Sequence, residues 1–446
     1  MKKKLIIILI LLNFSTQAQT IKGTLTQQTG QQVSLTGFSN YTTQELGKTV
    51  IDSLGFFTLN YPKDYKGMAL LKTQDNSQLP LVLTEPIITL KGLSLAQTEN
   101  LQFINSQKNK EFNTIVQGIT QYNQAYQAWR YLQTIYTNPK YIQPPTKVLQ
   151  SITQELQRIQ ETNQQTINAL PKTSYARWFL PIRQLVNEMP NSANVYKERI
   201  PQNIQQFRKV NFSNPNFKTS GLLAQVLEGH FMLIEKIDQP KDSMHLQMQT
   251  SIKYLLNNLE GNDALLNKIG THLFNYFEAR SLFTASEYLS LQLLENSQCT
   301  LEDSLIAKLE GYRKLKAGNT APDIQLTATK KLSDIKTNKL LVFGASWCPH
   351  CKTDTAEILK LYPTWQTKNT EVIYISIDTD KEGFNSYYAD KPWQTYCDFK
   401  GYETQAAKDY YITGTPSYFL LDANNTILIR PNTVLHASIW IETKLR

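Results

Sequence analysis

The sequence is poor in histidine and cysteine and lacks long apolar runs. Its 446 residues include 5 histidines and 4 cysteines. It has no H-E-x-x-H motif, and His230, His245, His272 and His436 stand isolated, so these residues predict no metal site. Beyond the first eighteen residues, no uninterrupted apolar run reaches the roughly 18 residues of a transmembrane helix. Basic residues are scattered among acidic ones instead of forming a stripe with aromatics, which argues against nucleic-acid binding.

The first eighteen residues have the layout of a secretory signal peptide. They read MKKKLIIILILLNFSTQA, with Lys2 to Lys4 first, an apolar run from Leu5 to Leu12, and small or polar residues up to Ala18. The run is too short to span a bilayer, although a retained anchor is the alternative, and no cysteine follows it for lipid attachment. Removing the three lysines lowers the formal net charge from +9 to +6. We therefore expect an exported protein, periplasmic or otherwise, that is soluble once the signal peptide is removed.

Three further segments follow, as the chain length suggests at roughly 150 residues per domain. Residues 19–98 alternate apolar and polar positions between glycine and proline turns, as in QQVSLTGF and GFFTLNYP, which predicts a small all-β, sandwich-like domain. Residues 99–316 change to helical spacing, seen at Phe112, Ile115 and Ile119, and predict an α-helical region. At residues 317–446, strand patterns such as KLLVFGAS alternate with helical ones, which predicts an α/β domain with a mainly parallel sheet covered on both faces.

A C-x-x-C pair lies in this last segment, in the stretch GASWCPHC at residues 344–351. A zinc site needs four ligands, but Cys299 and Cys397 stand alone and His350 lies inside the pair. A structural disulfide across so short a loop would stabilise the fold weakly. Redox chemistry is therefore favoured, because an apolar strand precedes the pair and a helix begins at it.

The expected helix gives the two cysteines different tasks. Its free N–H groups and positive dipole end would stabilise the thiolate of Cys348 at the helix tip. Cys348 would then react with the substrate sulfur, and Cys351, one turn deeper, would resolve the mixed disulfide.

These motifs together resemble a known family. Trp347-Cys348-Pro349-His350-Cys351, the acidic residue at 354, and Gly414-Thr415-Pro416 before an apolar strand are similar to the thioredoxin fold, and within it to the TlpA/ResA-like exported thiol–disulfide oxidoreductases. The resemblance implies that Pro416 is a cis proline against the cysteine pair and that the backbone of Thr415 pairs with an extended substrate. It implies that Trp347 shields the disulfide and that Pro349 belongs to the same substrate-binding surface. The Gly55-Phe56-Phe57 turn and Leu83-Thr84-Glu85 resemble the small β-domain that precedes such domains in exported oxidoreductases.

Two residues beside the pair leave alternatives open. Asp354 stands where ResA-like proteins carry a glutamate and could accept the Cys351 proton, or it could simply favour the helix dipole. The buried aspartate of cytoplasmic thioredoxin is replaced by Val342. Family membership implies a reductase, whereas the Pro349-His350 dipeptide, as in DsbA, favours an oxidase or isomerase, since His350 would stabilise the reduced form.

No metal or organic cofactor is predicted. The expected partners are protein thiols or disulfides and a membrane electron donor or acceptor. A different class of function is a surface ligand-binding protein with a vestigial redox pair. Cys299 and Cys397 are expected to be lone cysteines, and a disulfide between them is the alternative.

Overall fold

The structure, a computed structural model, describes residues 19–138, 140, 145–280, 282–297 and 301–445. The predicted signal peptide and Cys299 lie outside the described residues. The chain divides into two compact units, with the boundary between Asp238 and Gln239. Among the described residues, no helix is both long enough and apolar enough to cross a membrane.

The first unit begins with two small β-sheets. Their strand orders are β4-β1-β7-β8 and β3-β2-β5-β6, and the strands are β1 Gln19–Leu25, β2 Gln32–Ser39, β3 Thr42–Val50, β4 Phe56–Tyr61, β5 Gly67–Thr73, β6 Gln78–Leu83, β7 Ile87–Gly92 and β8 Gln102–Phe103. Alternating residues such as Ile21, Leu35 and Leu59 are buried in one shared core. The predicted N-terminal all-β domain is confirmed.

Helices complete the first unit. They are α1 Gln107–Thr137, α2 Thr146–Asn168, α3 Tyr175–Asn194, α4 Ile200–Phe207 and α5 Leu223–Lys236. The apolar stripe of α5 is fully buried and includes the polar His230, whose ring stacks on Phe207 with the ring centroids 3.5 Å apart.

Four more helices open the second unit: α6 Lys241–Asn258, α7 Asp263–Ala279, α8 Phe283–Ser297 and α9 Asp303–Lys314. Together with the helices of the first unit they confirm the predicted helical middle region. Gly270 on α7 allows close approach to α8, because a side-chain Cβ there would lie 3.1 Å from a methyl of Leu293.

A five-stranded sheet follows these helices in the second unit. Its elements are β9 Asn338–Gly344, α10 Pro349–Gln366, β10 Thr370–Ser376, α11 Lys381–Tyr388, β11 Gln394–Tyr396, α12 Gln405–Asp409, β12 Ser417–Leu421, β13 Ile427–Ile429 and α13 Val434–Lys444. The strand order is β11-β10-β9-β12-β13. The strands β9, β10 and β11 are parallel, whereas β12 and β13 pair antiparallel. The sheet is thus mixed, and the predicted C-terminal α/β domain is confirmed.

Apolar residues cover both faces of this sheet. Leu341 and Phe343 of β9 point into one core cluster, and Leu340 and Val342 point into the other. A strand buried on both faces reads as a continuous apolar run, which is why KLLVFG is uniformly hydrophobic after its lysine. This buried strand ends at Gly344, shortly before the cysteine pair, so its carboxyl end fixes where the pair begins.

Candidate active site

The cysteine pair lies at the start of α10, directly beyond the carboxyl end of β9. Cys348 is the N-cap residue of this helix, and its Sγ accepts a hydrogen bond from the Cys351 backbone N–H at 3.2 Å. Pro349 occupies the first helical turn, where its missing N–H costs no hydrogen bond. A sulfur at this position receives free N–H groups and the positive end of the helix dipole, so the arrangement favours a thiolate on Cys348.

The two sulfurs are at disulfide-bonding distance, and the Cα atoms lie 5.2 Å apart. Cys348 is 4% exposed and Cys351 is 1% exposed, so the pair is shielded from bulk solvent. Its immediate neighbours are accessible instead, since Trp347 is 56% exposed and Pro349 and His350 are also exposed. Trp347 and Pro349 are thus accessible, while their part in substrate binding stays a prediction.

The loop before β12 lies against the first sulfur. The Thr415–Pro416 peptide bond is cis, and the Thr415 carbonyl oxygen lies 3.6 Å from Cys348 Sγ. The cis geometry that the resemblance implies is therefore present, while the part that Thr415 and Pro416 play in substrate binding stays a prediction. In the dithiol form the Cys348 thiol can donate a hydrogen bond to this carbonyl.

Asp354 has a partner that the sequence did not predict. Its half-buried carboxylate accepts a hydrogen bond from the hydroxyl of Tyr418 on β12. Burial raises the pKa of Tyr418 above its usual range, and the neighbouring Asp354 carboxylate raises it further, so the hydroxyl keeps its proton and remains a donor. No described hydrogen bond joins Asp354 to Cys351, and the proton-acceptor role of Asp354 stays a prediction. Val342 is buried in the strand before the pair and offers no alternative base.

A buried carboxylate holds the loop that leads into the pair. Asp378, just after β10, is fully buried and accepts hydrogen bonds from the Ser346 N–H at 3.0 Å and the Ser346 hydroxyl at 2.6 Å. The Ser376 hydroxyl also donates to it at 2.6 Å. Asp378 is not among the residues predicted from the sequence, although its position carries a signal. The strands β9 and β10 are parallel, so the polar residues that follow them meet at one edge of the sheet.

Cys397 lies near this carboxylate as a free, half-buried thiol. Its Sγ is 3.4 Å from the Asp378 carbonyl oxygen, and burial raises its pKa, which makes it a poor nucleophile. The possible disulfide with Cys299 remains untested, because Cys299 is outside the described residues. In the described part of the chain, no group of three or more histidine, cysteine or acidic residues is placed to hold a metal ion.

A family match lies in the same part of the chain as the cysteine pair. Residues 338–427 match a family described as thioredoxin-like. The C-terminal α/β part of this chain is a thioredoxin-like domain. Among its relatives, probable nucleoredoxin 1 of Arabidopsis thaliana is 29% identical over 140 residues, which are 30% of this chain and 23% of that protein. Tryparedoxin of Trypanosoma brucei brucei is 30% identical over 91 residues, which are 20% of this chain and 63% of tryparedoxin.

Solved structures also resemble parts of this chain. A thiol-disulfide oxidoreductase from Bacteroides fragilis is 30% identical, and the match covers 25% of this chain and 89% of that one with a TM-score of 0.23. A thioredoxin-like protein from Bacteroides caccae is 15% identical, with 62% of this chain and 97% of that one covered at a TM-score of 0.38. The matched family and relatives place the domain among thiol–disulfide oxidoreductases, while the match spans less than a quarter of probable nucleoredoxin 1.

Proposed function

We propose that the protein is an exported thiol–disulfide oxidoreductase that reduces disulfides of protein substrates. The observation that carries the proposal is the position of Cys348 at the N-terminus of α10, with Cys351 at bonding distance and the Thr415 carbonyl 3.6 Å from its sulfur. Such a site activates one sulfur, supplies a second to resolve the intermediate, and leaves a backbone segment beside it for an extended substrate. The leader at residues 1–18 supports export, and the TlpA/ResA-like resemblance supports the reductase direction.

The reduction of one substrate disulfide balances with these two sulfurs. The Cys348 thiolate attacks one sulfur of a substrate disulfide, forming a mixed disulfide and releasing the other substrate sulfur as a thiolate that takes up a proton. Cys351 loses its proton and attacks Cys348 Sγ, which breaks the mixed disulfide and releases the second substrate thiolate. The substrate gains two electrons, and the protein is left with the Cys348–Cys351 disulfide. A dithiol donor, for which we propose a membrane thiol transporter, must then return two electrons.

The opposite direction is the second candidate, and the exposed His350 inside the pair favours it. A cationic or dipolar ring beside Cys348 would stabilise the thiolate and make the disulfide more oxidising. The protein would then act as a DsbA-like oxidase or isomerase, accept two electrons from substrate thiols, and pass them to a membrane acceptor such as a quinone-linked oxidase.

The reduction potential of the pair separates the two directions. Equilibration of the purified protein with glutathione buffers should give a value near or below about −240 mV for a reductase, whereas a value near about −120 mV would assign the oxidase. In parallel, Cys351→Ser should trap substrates on Cys348 as mixed disulfides, which mass spectrometry can identify. The identities of the trapped partners would show whether they are proteins that carry disulfides.

Insulin reduction tests whether the pair is active at all. We expect Cys348→Ala to abolish the activity, whereas Cys397→Ser, which removes a thiol outside the pair, should keep it. Undiminished activity in Cys348→Ala would overturn the proposal.

A further inference from the structure

A cleft of about 530 Å³ lies beside the cis-proline loop, within the second unit. Its lining includes His350, Thr415 and Pro416, which are next to the cysteine pair. It also includes Glu278 of α7, Phe283 of α8 and Arg430, which directly follows β13. The helical region therefore supplies part of the wall next to the backbone segment that an extended substrate would meet.

Arg430 is held in this wall by aromatic rings from three elements. Its guanidinium carbon lies 4.4 Å from the ring centre of Tyr312 on α9 and 4.8 Å from that of Phe419 on β12. The ring centre of Phe283 on α8 is 5.9 Å away. Cation–π contacts of this kind restrict a side chain without using any of its five N–H donors.

Those donors have no acceptor in the described part of the chain. The Arg430 side chain is half-buried, yet among the described residues it makes neither a hydrogen bond nor an ion pair. Two carboxylates lining the cleft are engaged elsewhere, since Glu278 accepts from the Tyr312 hydroxyl and Asp354 accepts from the Tyr418 hydroxyl. Burial raises the pKa of the neighbouring Glu287 and the charge of Arg430 opposes this rise, although no hydrogen bond or ion pair joins the two side chains in the described part of the chain.

We propose that Arg430 is a specificity-determining residue that binds a carboxylate of the substrate, namely an acidic side chain near the target cysteine of an extended protein segment. The inference rests on the proposed function and deepens it. A partly desolvated guanidinium without a partner is costly, and a planar, pre-oriented fork binds a carboxylate through two parallel hydrogen bonds. The Glu278 and Asp354 charges nearby repel acidic groups at other positions, so an acidic side chain is accepted only where it reaches Arg430.

Peptide disulfides test this position by position. The probes carry one cysteine, joined as a mixed disulfide to a neutral small thiol, with a single Glu or Gln at each of the three positions on either side. Wild-type protein should prefer Glu by about tenfold in KM at one position, with kcat little changed. Arg430→Gln should abolish that preference, and Arg430→Lys should restore only part of it, because lysine lacks the fork. Glutathione disulfide is tested separately. If Arg430 lowers the KM for glutathione disulfide and for none of the peptides, the carboxylate that Arg430 binds belongs to a small thiol.

A matched control has the same change of charge outside the cleft. Arg313→Gln removes an exposed arginine of α9 whose partner is Glu310, and it should leave the preference intact. A preference that survives in Arg430→Gln, or an equal loss for Glu and Gln peptides, would overturn the inference and leave Arg430 a packing residue.

A binding measurement separates this inference from the redox proposal. Peptides with serine in place of cysteine cannot exchange disulfides, so calorimetry with the oxidised protein measures recognition alone. Tighter binding of the acidic peptide by wild type than by Arg430→Gln supports the inference even if no substrate is reduced. Equal binding of acidic and neutral peptides by wild type would contradict it even if insulin reduction proceeds.

Discussion

At the scale of single residues, the carboxylate of Asp354 has two possible tasks, and Tyr418 decides where it points. The Tyr418 hydroxyl holds Asp354 towards β12, and Asp354 lines the cleft together with His350. A carboxylate in this position can take part in proton transfer as well as complement the first turns of α10. Both tasks use the carboxylate, but only the first requires it to take up the Cys351 proton when the mixed disulfide is resolved.

Asp354→Asn keeps the size of the side chain and an acceptor oxygen but removes the base. If Asp354 accepts the Cys351 proton, release of substrate from Cys348 should slow by about 100-fold, because general bases contribute on that order. Quenched-flow mass spectrometry of the mixed disulfide measures the step. Glu357→Gln, an acid further along α10, should resolve at the wild-type rate. A wild-type rate in Asp354→Asn would leave the dipole interpretation.

His230 predicts a pH-dependent stability in the first unit. Complete burial lowers its pKa well below 6.5, and the charge of Arg208 lowers it further. The folded state therefore keeps the ring neutral while the unfolded chain binds a proton below about pH 6.5, so this contribution is present above that pH and is lost on acidification.

We expect His230 to lower the free energy of unfolding by up to about 1.4 kcal/mol for each pH unit below 6.5. His230→Leu should flatten that part of the profile. Urea unfolding of both proteins between pH 7 and pH 5 measures the difference. Parallel profiles for wild type and variant would contradict the assignment.

At the scale of elements, the active-site loop depends on the alignment of two parallel strands. Gly344 at the end of β9 pairs in register with Ser376 at the end of β10. That register brings Asp378 within hydrogen-bonding distance of Ser346, one residue before Trp347. The position of the loop is therefore a property of the strand pair and not of the loop's own sequence.

Asp378→Ala leaves three buried or half-buried donors of Ser346 and Ser376 without their acceptor. We expect the free energy of unfolding to fall by about 3 kcal/mol, since each unpaired buried donor costs roughly 1 kcal/mol or more. Asp378→Asn, which keeps one acceptor oxygen, should lose less. The rate at which Cys348 reacts should fall in the same order, because the loop is less well held. Denaturant unfolding and thiol-exchange kinetics measure both, and an unchanged Ala variant would contradict the role.

At the scale of the whole molecule, the sequence predicts a β-segment, a helical segment and an α/β segment. The two compact units of the structure divide the helical segment between them. Helices α6 to α9 belong to the same compact unit as the C-terminal sheet, and α1 to α5 belong with the β-strands. Within the second unit, Phe283 and Tyr312 of the helices contact Arg430 next to the thioredoxin-like site. Residues of the helical region thus line part of the cleft beside the cysteine pair.

The proposed export predicts where the mature chain begins. β1 begins at Gln19, and its first fully buried side chain is Ile21. Cleavage after Ala18 would leave this strand intact, so we expect the exported protein to begin at Gln19. Intact-mass analysis of the exported protein measures this terminus. Ala18→Arg should block processing, because the cleavage site needs a small residue. A mature protein that retains residues 1–18 would contradict export by this route.

The sequence by itself determined what depends on neighbouring residues. Alternating and helical apolar patterns predicted the three kinds of segment, and the C-x-x-C spacing after an apolar strand predicted a redox pair at a helix start. Only the tertiary structure decided which side chains surround that pair. Asp354 and Tyr418 are 64 positions apart, and Ser346 and Asp378 are 32 positions apart. Such contacts depend on strand order and register, which bring distant residues to one edge, and no local pattern encodes them.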